Sequence, residues 1–237
     1  MPTKTRREAL IALSAVATGA LVGCEPPEPD PVDDDDAADD DDAVANDDDA
    51  ANDDDAAGDC DDRTGAQTEG PYYPGEPEAR MDITEDRAGV GLDLDLVIVA
   101  QGSCDPIAGA EVDVWSADAN GDYSGYDDFG TAGQDWLRGQ QITDADGRVR
   151  FRAIVPGAYP GRALHLHVKV RADGRDELTT QVYFPDDIGA AVLAEAEYAD
   201  SAAQTTNGAD GFYADDTLMT VTGDVAAGYA AEATLIV

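Results

Sequence analysis

Apolar positions in this chain recur in short stretches with a period of two, separated by turn residues. Leu92–Val99, Glu111–Ala117, Arg148–Ile154, Ala163–Val170, Leu178–Phe184, Leu218–Thr222 and Ala231–Val237 each alternate in polarity or are rich in β-branched residues. Such stretches predict strands. Asn120-Gly121 and Asp146-Gly147 punctuate them as turns. Only Ala190–Tyr198 carries a helical pattern. No repeat of 20–50 residues is visible. The pattern predicts an all-β fold, an antiparallel sandwich with little helix.

One apolar run breaks this rhythm, from Ala9 to Val22, preceded by Lys4, Arg6 and Arg7 and followed by Gly23-Cys24. A basic start, a short apolar stretch and a small residue before the cut describe an export signal and not a spanning helix. Leu21-Val22-Gly23-Cys24 resembles a lipobox, which implies cleavage before Cys24 and a lipid on its sulfur. Arg6-Arg7 fits either a twin-arginine or an ordinary signal. The expected location is therefore the cell envelope, with the protein exported and held to a membrane through the lipid alone.

Residues 25–62 consist largely of Asp blocks separated by alanines, with no Lys or Arg. So charged a segment repels itself and lacks the apolar surface to offset its ordering entropy, so it predicts a disordered acidic tether. Calcium loops need ligands spaced around a glycine turn, which these blocks do not provide. Three segments follow: an export signal at 1–24, the tether at 25–62 and a folded domain at 63–237.

Charge and composition narrow the function. Among 237 residues, 52 are acidic and 14 basic, for a formal charge of −38. Nucleic acid is excluded as a partner, because phosphate contacts need clustered Lys and Arg. With two His and three Cys in all, a site built on three histidines and a disulfide-dense scaffold are both excluded. If Cys24 carries lipid, Cys60 and Cys104 remain as a pair that reads as a disulfide outside the cytoplasm.

Both histidines lie in Arg162-Ala-Leu-His165-Leu-His167. On a strand, positions i and i+2 share a face, so His165 and His167 project together while Leu164, Leu166, Val168 and Val170 point to the core. By themselves the two imidazoles are either a pair of metal ligands or part of a polar sheet face.

Their surroundings extend the pattern. Gly109-Ala-Glu-Val-Asp-Val-Trp115, Thr143-Asp-Ala-Asp-Gly147 and Phe151-Arg-Ala-Ile-Val-Pro-Gly157 resemble transthyretin-like β-sandwiches in general. Val114-Trp-Ser-Ala-Asp-Ala-Asn-Gly-Asp-Tyr123, Pro156-Gly-Ala-Tyr159, Arg162-Ala-Leu-His165-Leu-His167 and Leu178-Thr-Thr-Gln181 together resemble the intradiol ring-cleavage dioxygenases of the catechol and protocatechuate type. The likeness runs from Thr68 to Asp187. It implies iron ligands at Tyr123, Tyr159, His165 and His167, an active-site arginine at Arg162, a catalytic role for Tyr159 and Gln181, and a substrate mouth near Tyr72. It also implies non-haem Fe(III), a small aromatic diol and O2 as substrates, and a muconate-type diacid as product. Two phenolates and two imidazoles form a hard, anionic donor set that suits Fe(III) and offers no thiolate for structural zinc. The competing expectation is a non-catalytic transthyretin-like binding module on a surface lipoprotein. Oligomeric state stays open.

Overall fold

The computed structural model describes residues 60–73, 75 and 77–237. The export signal expected at 1–24, with Cys24, and the expected tether up to residue 59 lie outside the described residues. Among the described residues, eight strands and one α-helix occur, and the strands build two four-stranded sheets. They are β1 (Gly91–Val99), β2 (Glu111–Trp115), β3 (Arg138–Ile142), β4 (Arg148–Ile154), β5 (His165–Arg171), β6 (Leu178–Tyr183), β7 (Thr220–Asp224) and β8 (Gly228–Ile236), with a single α-helix, α1 (Asp186–Val192). One sheet has the order β4-β1-β8-β7 and the other β3-β2-β5-β6. Every pairing is antiparallel except that of β1 with β8.

The core lies between the sheets. Leu92, Leu94, Leu96 and Ile98 of β1, Val112 and Val114 of β2, and Leu166, Val168 and Val170 of β5 are all buried. Each such side chain contributes about 1.5–3 kcal/mol of burial energy. The alternation in β1 and β8 is the direct cause: one face of each strand meets the core and the other meets water. On that wet face Arg148 and Arg150 pair with Asp95 at 2.8 and 3.0 Å.

The second sheet differs. The first six residues of β5 are all buried, on both faces, because loops cover its outer side. Those loops bring Glu69, Gly70, Tyr73 and Tyr159 against β5. This covered outer face is where a site can form.

Two elements depart from the sequence pattern. The helix expected at Ala190–Tyr198 instead starts at Asp186, after Pro185, and ends at Val192. Ala196–Tyr198 form a separate 3-10 turn. Two acids in the first turn favour the earlier start. Tertiary contacts fix the later turn: the buried Tyr198 hydroxyl donates to Val155 O at 2.6 Å and accepts from Val90 N at 3.0 Å. Strand β3 was not expected, because its sequence, Arg-Gly-Gln-Gln-Ile, has no apolar alternation. Gly139 replaces a large side chain there: a Cβ would lie 2.5 Å from Ile83 Cγ2 and 3.0 Å from Arg80 O.

Cys60 and Cys104 form a disulfide with Cα atoms 5.5 Å apart. It ties the start of the described domain to the loop that leaves β1. Among the described residues no helix is long and apolar enough to cross a membrane.

Candidate active site

Register across the second sheet lays out the site. Arg138 of β3 faces Trp115 of β2, Trp115 faces His167 of β5, and His167 faces Gln181 of β6. Directly opposed residues share a face, so these four side chains form one rung on the covered side. His165 faces Tyr183 in the next rung on that side.

Two loops bring tyrosines over the rung. The turn after β2 carries Tyr123, and the loop before β5 carries Tyr159. Their close approach depends on two glycines. A Cβ at Gly157 would fall 2.2 Å from Ala119 O, and one at Gly121 would fall 2.6 Å from Ala158 O. No side chain fits either place. The Asn-Gly turn and the Pro-Gly segment are therefore what let the two loops touch. Asp118 Oδ1 steadies the first turn by accepting from the Asn120 and Asp122 amides at 2.9 and 3.2 Å.

The four side chains meet. Tyr159 Oη lies 2.8 Å from His165 Nε2. His165 Nδ1 lies 2.7 Å from Ala163 O; the proton therefore sits on Nδ1, and Nε2 presents its lone pair to the site. The His165 and His167 ring centroids are 4.9 Å apart, and those of Tyr123 and His167 are 6.2 Å apart. Trp115 stacks on His167 at 4.8 Å with planes 10° apart.

Burial sets the electrostatics. It pushes the Tyr123 hydroxyl well above its ordinary range and raises that of Tyr159 as well. Burial, reinforced by the Arg162 charge, lowers His165 to about 4. His167 is held well below its usual value by burial and by neighbouring positive charge. Both imidazoles are thus neutral donors at neutral pH. Tyr123 Oη and His167 Nδ1 are buried and make no hydrogen bond of acceptable geometry, although Tyr123 and Tyr159 lie near enough to affect each other's ionisation. Buried polar atoms without partners are uncommon, and each calls for an explanation. Among the described residues no group of three or more His, Cys, Asp or Glu is arranged to hold a metal, so a metal here would rest on the tyrosines. The donor set fits one: two neutral imidazoles and two phenols whose anions need a strong Lewis acid nearby.

Arg162 forms the other wall. Its Nη2 donates to Gln181 Oε1 and to Tyr183 Oη (3.0 Å), and its Nη1 to Tyr159 Oη (3.3 Å). Its Nε donates to both oxygens of Asp210 at 2.9 and 3.1 Å. The Asp210 side chain is fully buried and also accepts from the Ala163 and Phe212 amides, each at 2.9 Å. Arg162 is therefore held as a fixed cation beside Tyr159. Gln181 Nε2 donates to Thr68 O at 3.0 Å. Tyr72 stacks on Tyr123, centroids 4.6 Å apart. Tyr73 turns away instead, donating to Asp113 Oδ2 at 2.7 Å. Tyr126 packs on Tyr72.

All of the residues expected at the site from Tyr72 to Gln181 come together. Asp210, Tyr183, Trp115 and Arg138 were not singled out by the sequence. Tyr183 had a signal, lying two residues beyond Gln181 on the same strand face. Asp210 had none, since it reaches Arg162 from a loop 48 residues further along the chain.

The family model Dioxygenase_C, described as "Dioxygenase", matches residues 68–222. Catechol 1,2-dioxygenase of Acinetobacter baylyi is 32% identical, over 65% of this chain and 60% of that protein. The chain thus spans about 60% of that relative's length. An intradiol ring-cleavage dioxygenase structure from Tetranychus urticae superimposes with a TM-score of 0.68 at 28% identity, covering 72% of this chain and 92% of that one. The dioxygenase domain of a dioxygenase carbohydrate-binding protein fusion from Streptomyces sp. SirexAA-E gives a TM-score of 0.60 at 32% identity, covering 74% and 98%. With a family match over more than half its length and these donors gathered on one covered sheet face, the chain belongs to the intradiol ring-cleavage dioxygenase family.

Proposed function

We propose that this protein uses non-haem Fe(III), held by Tyr123, Tyr159, His165 and His167, to cleave a catechol-type diol with O2 between its two hydroxyl carbons, giving a muconate-type diacid. The observation that carries this reading is the convergence of two phenols and two neutral imidazoles, with Tyr123 Oη and His167 Nδ1 left unpartnered in the buried site. A ferric ion bound there would supply the Lewis acidity that makes phenolate and catecholate ligation possible at neutral pH.

The chain's own residues do the rest. In the phenolate form that bound iron would favour, Tyr159 Oη, within reach of His165 and Arg162, would be placed to take a proton from an incoming diol hydroxyl. The Arg162 guanidinium, oriented by Asp210 and Gln181, presents fixed positive charge where negative charge develops on the substrate, an electrostatic contribution that needs no reorganisation. Tyr72 lines the substrate side by its stacking on Tyr123. Buried aromatic walls exclude water and suit a flat aromatic substrate.

Export belongs to the same reading: the signal at 1–24, a lipid on Cys24 and an acidic tether at 25–62 would hold the domain off a membrane in the cell envelope. The Cys60–Cys104 disulfide supports an oxidising compartment.

The decisive test is the visible spectrum of the purified, iron-loaded chain, before and after anaerobic catechol. A tyrosinate-to-iron band that shifts on catechol addition is expected, followed on admitting O2 by a diacid carrying both atoms of labelled oxygen. A chain that stays colourless after iron loading sinks the proposal and leaves the binding module. Tyr159→Phe and His165→Ala are each expected to lower turnover by at least two orders of magnitude, and unchanged product rates count against the ligand assignment.

A further inference from the structure

Arg138 is 2% exposed, yet it has no acidic partner. Its Nε donates to Ser124 Oγ at 2.6 Å, Nη2 to Ser124 O at 2.6 Å and Nη1 to Tyr72 O at 2.7 Å. All three acceptors are uncharged. Among the described residues Arg138 makes no ion pair. Asp135, the carboxylate that acts on it from further away, is half-exposed and lies 3.7 Å from Arg80. The other charges beside this sheet face are matched: Arg162 with the buried Asp210, Arg171 with the buried Asp113 and the buried Lys169 with Glu69. A buried cation without a counter-ion is costly, by several kcal/mol, so its retention needs a reason.

The surroundings supply one. The Arg138 guanidinium carbon lies 5.9 Å from the Tyr123 ring centroid and 5.7 Å from that of Tyr126. It grips both the backbone of Ser124, next to Tyr123, and the carbonyl of Tyr72, whose ring stacks on Tyr123. The Tyr123 hydroxyl is among the buried groups left without a hydrogen bond. Charge and clamp therefore converge on the same tyrosine.

Building on the metal-centre reading above, we propose that Arg138 is a positioning residue whose fixed charge balances negative charge on Tyr123 and holds that tyrosine as an iron ligand. Arg162 and Arg138 then flank the centre from opposite ends of the rung. Arg162 reaches Tyr159 and the substrate side; Arg138 lies over the Tyr123 ring.

The test uses the full chain in three variants, Arg138→Gln, Arg138→Lys and Tyr123→Phe, with near-UV circular dichroism of the iron-free forms to confirm folding. Ferric nitrilotriacetate is the probe. The readouts are iron affinity by chelator competition and the energy of the tyrosinate-to-iron band. R138Q keeps a polar donor and loses the charge; it is expected to bind iron about 10–100-fold more weakly with a displaced band. R138K loses the planar fork and keeps the charge; it is expected to hold wild-type band energy with affinity within about threefold, as a retained charge requires. If both weaken iron equally with the band unmoved, Arg138 is only a bracket and the proposal is overturned. Should R138Q fail to fold, a folded R138K that has lost band and affinity overturns it as well. Y123F separates the two levels. If Y123F weakens iron and displaces the band while R138Q keeps wild-type values, only the Arg138 proposal falls; if Y123F keeps wild-type band and affinity, the metal-centre reading falls with it.

Discussion

His165 is neutral in the fold down to about pH 4, because burial and then the Arg162 charge disfavour its cation. An unfolded chain protonates the same ring near pH 6.5. Between those values the unfolded state binds the extra proton, so acid favours unfolding. The contribution is complete above pH 6.5 and is lost progressively as pH falls toward 4. Its slope is about 1.4 kcal/mol per pH unit, or about 2 kcal/mol between pH 6.5 and 5. Urea unfolding of the iron-free chain at several pH values measures this directly. The wild type is expected to lose stability more steeply than His165→Gln across that window; parallel slopes contradict the burial argument. Gly157 gives a second test at this scale. In Gly157→Ala the new methyl meets backbone atoms, Ala119 O and Gly121 N at 2.2 and 2.9 Å, which yield less readily than side-chain ends. The expected cost is about 1–3 kcal/mol, together with weaker iron retention, because the displaced loops carry Tyr123 and Tyr159. A thermal melt and an iron assay check both parts, and wild-type values for both would show that the contact relaxes freely.

Strands differ in how plainly they show in sequence. Strand β5 is legible because a period of two places His165 and His167 on one face and Leu166, Val168 and Val170 on the other, and both faces are indeed used. Strands β1 and β4 are legible for the same reason. Strand β3 is not. One of its faces sends Arg138 into the site and the other uses Gly139 to admit Ile83 and the Arg80 carbonyl. Its conformation answers to neighbours that no local pattern announces. The helix is a milder case: an alanine-rich stretch suggests helix, but anchoring of Tyr198 to Val155 and Val90 sets where the chain stops winding. The same division applies at the site. Tyr123, Tyr159, Arg162 and the histidines sit in compact motifs with fixed spacing. Asp210 and Arg138 act through contacts across folded loops, so their partners are visible only in three dimensions.

Residues 60–73 join the disulfide to the active site as one strap. Gly102 N donates to Cys60 O at 2.8 Å, Thr64 N to Ile236 O at 3.1 Å, Gln67 N to Thr179 O at 2.8 Å and Gln181 Nε2 to Thr68 O at 3.0 Å. Lys169 then holds Glu69 at 2.7 Å, and Tyr72 covers Tyr123. The disulfide spans a sequence separation of 44 residues, and chain-entropy reasoning assigns such a loop about 4 kcal/mol, with about 2–4 kcal/mol typical in practice. Loss of the bond therefore acts on the unfolded state far more than on the site. Tyr72 keeps its own anchors after reduction, the Arg138 bond to its carbonyl and the stack on Tyr123. The double variant Cys60→Ser/Cys104→Ser is accordingly expected to unfold at clearly lower denaturant, with stability down by about 2–4 kcal/mol, while ferric iron affinity stays within a few-fold of wild type. Unfolding and chelator competition run on the same preparation separate the two quantities. A variant that loses iron without losing stability would mean that the strap is held at the site by the disulfide and not by the contacts along its length.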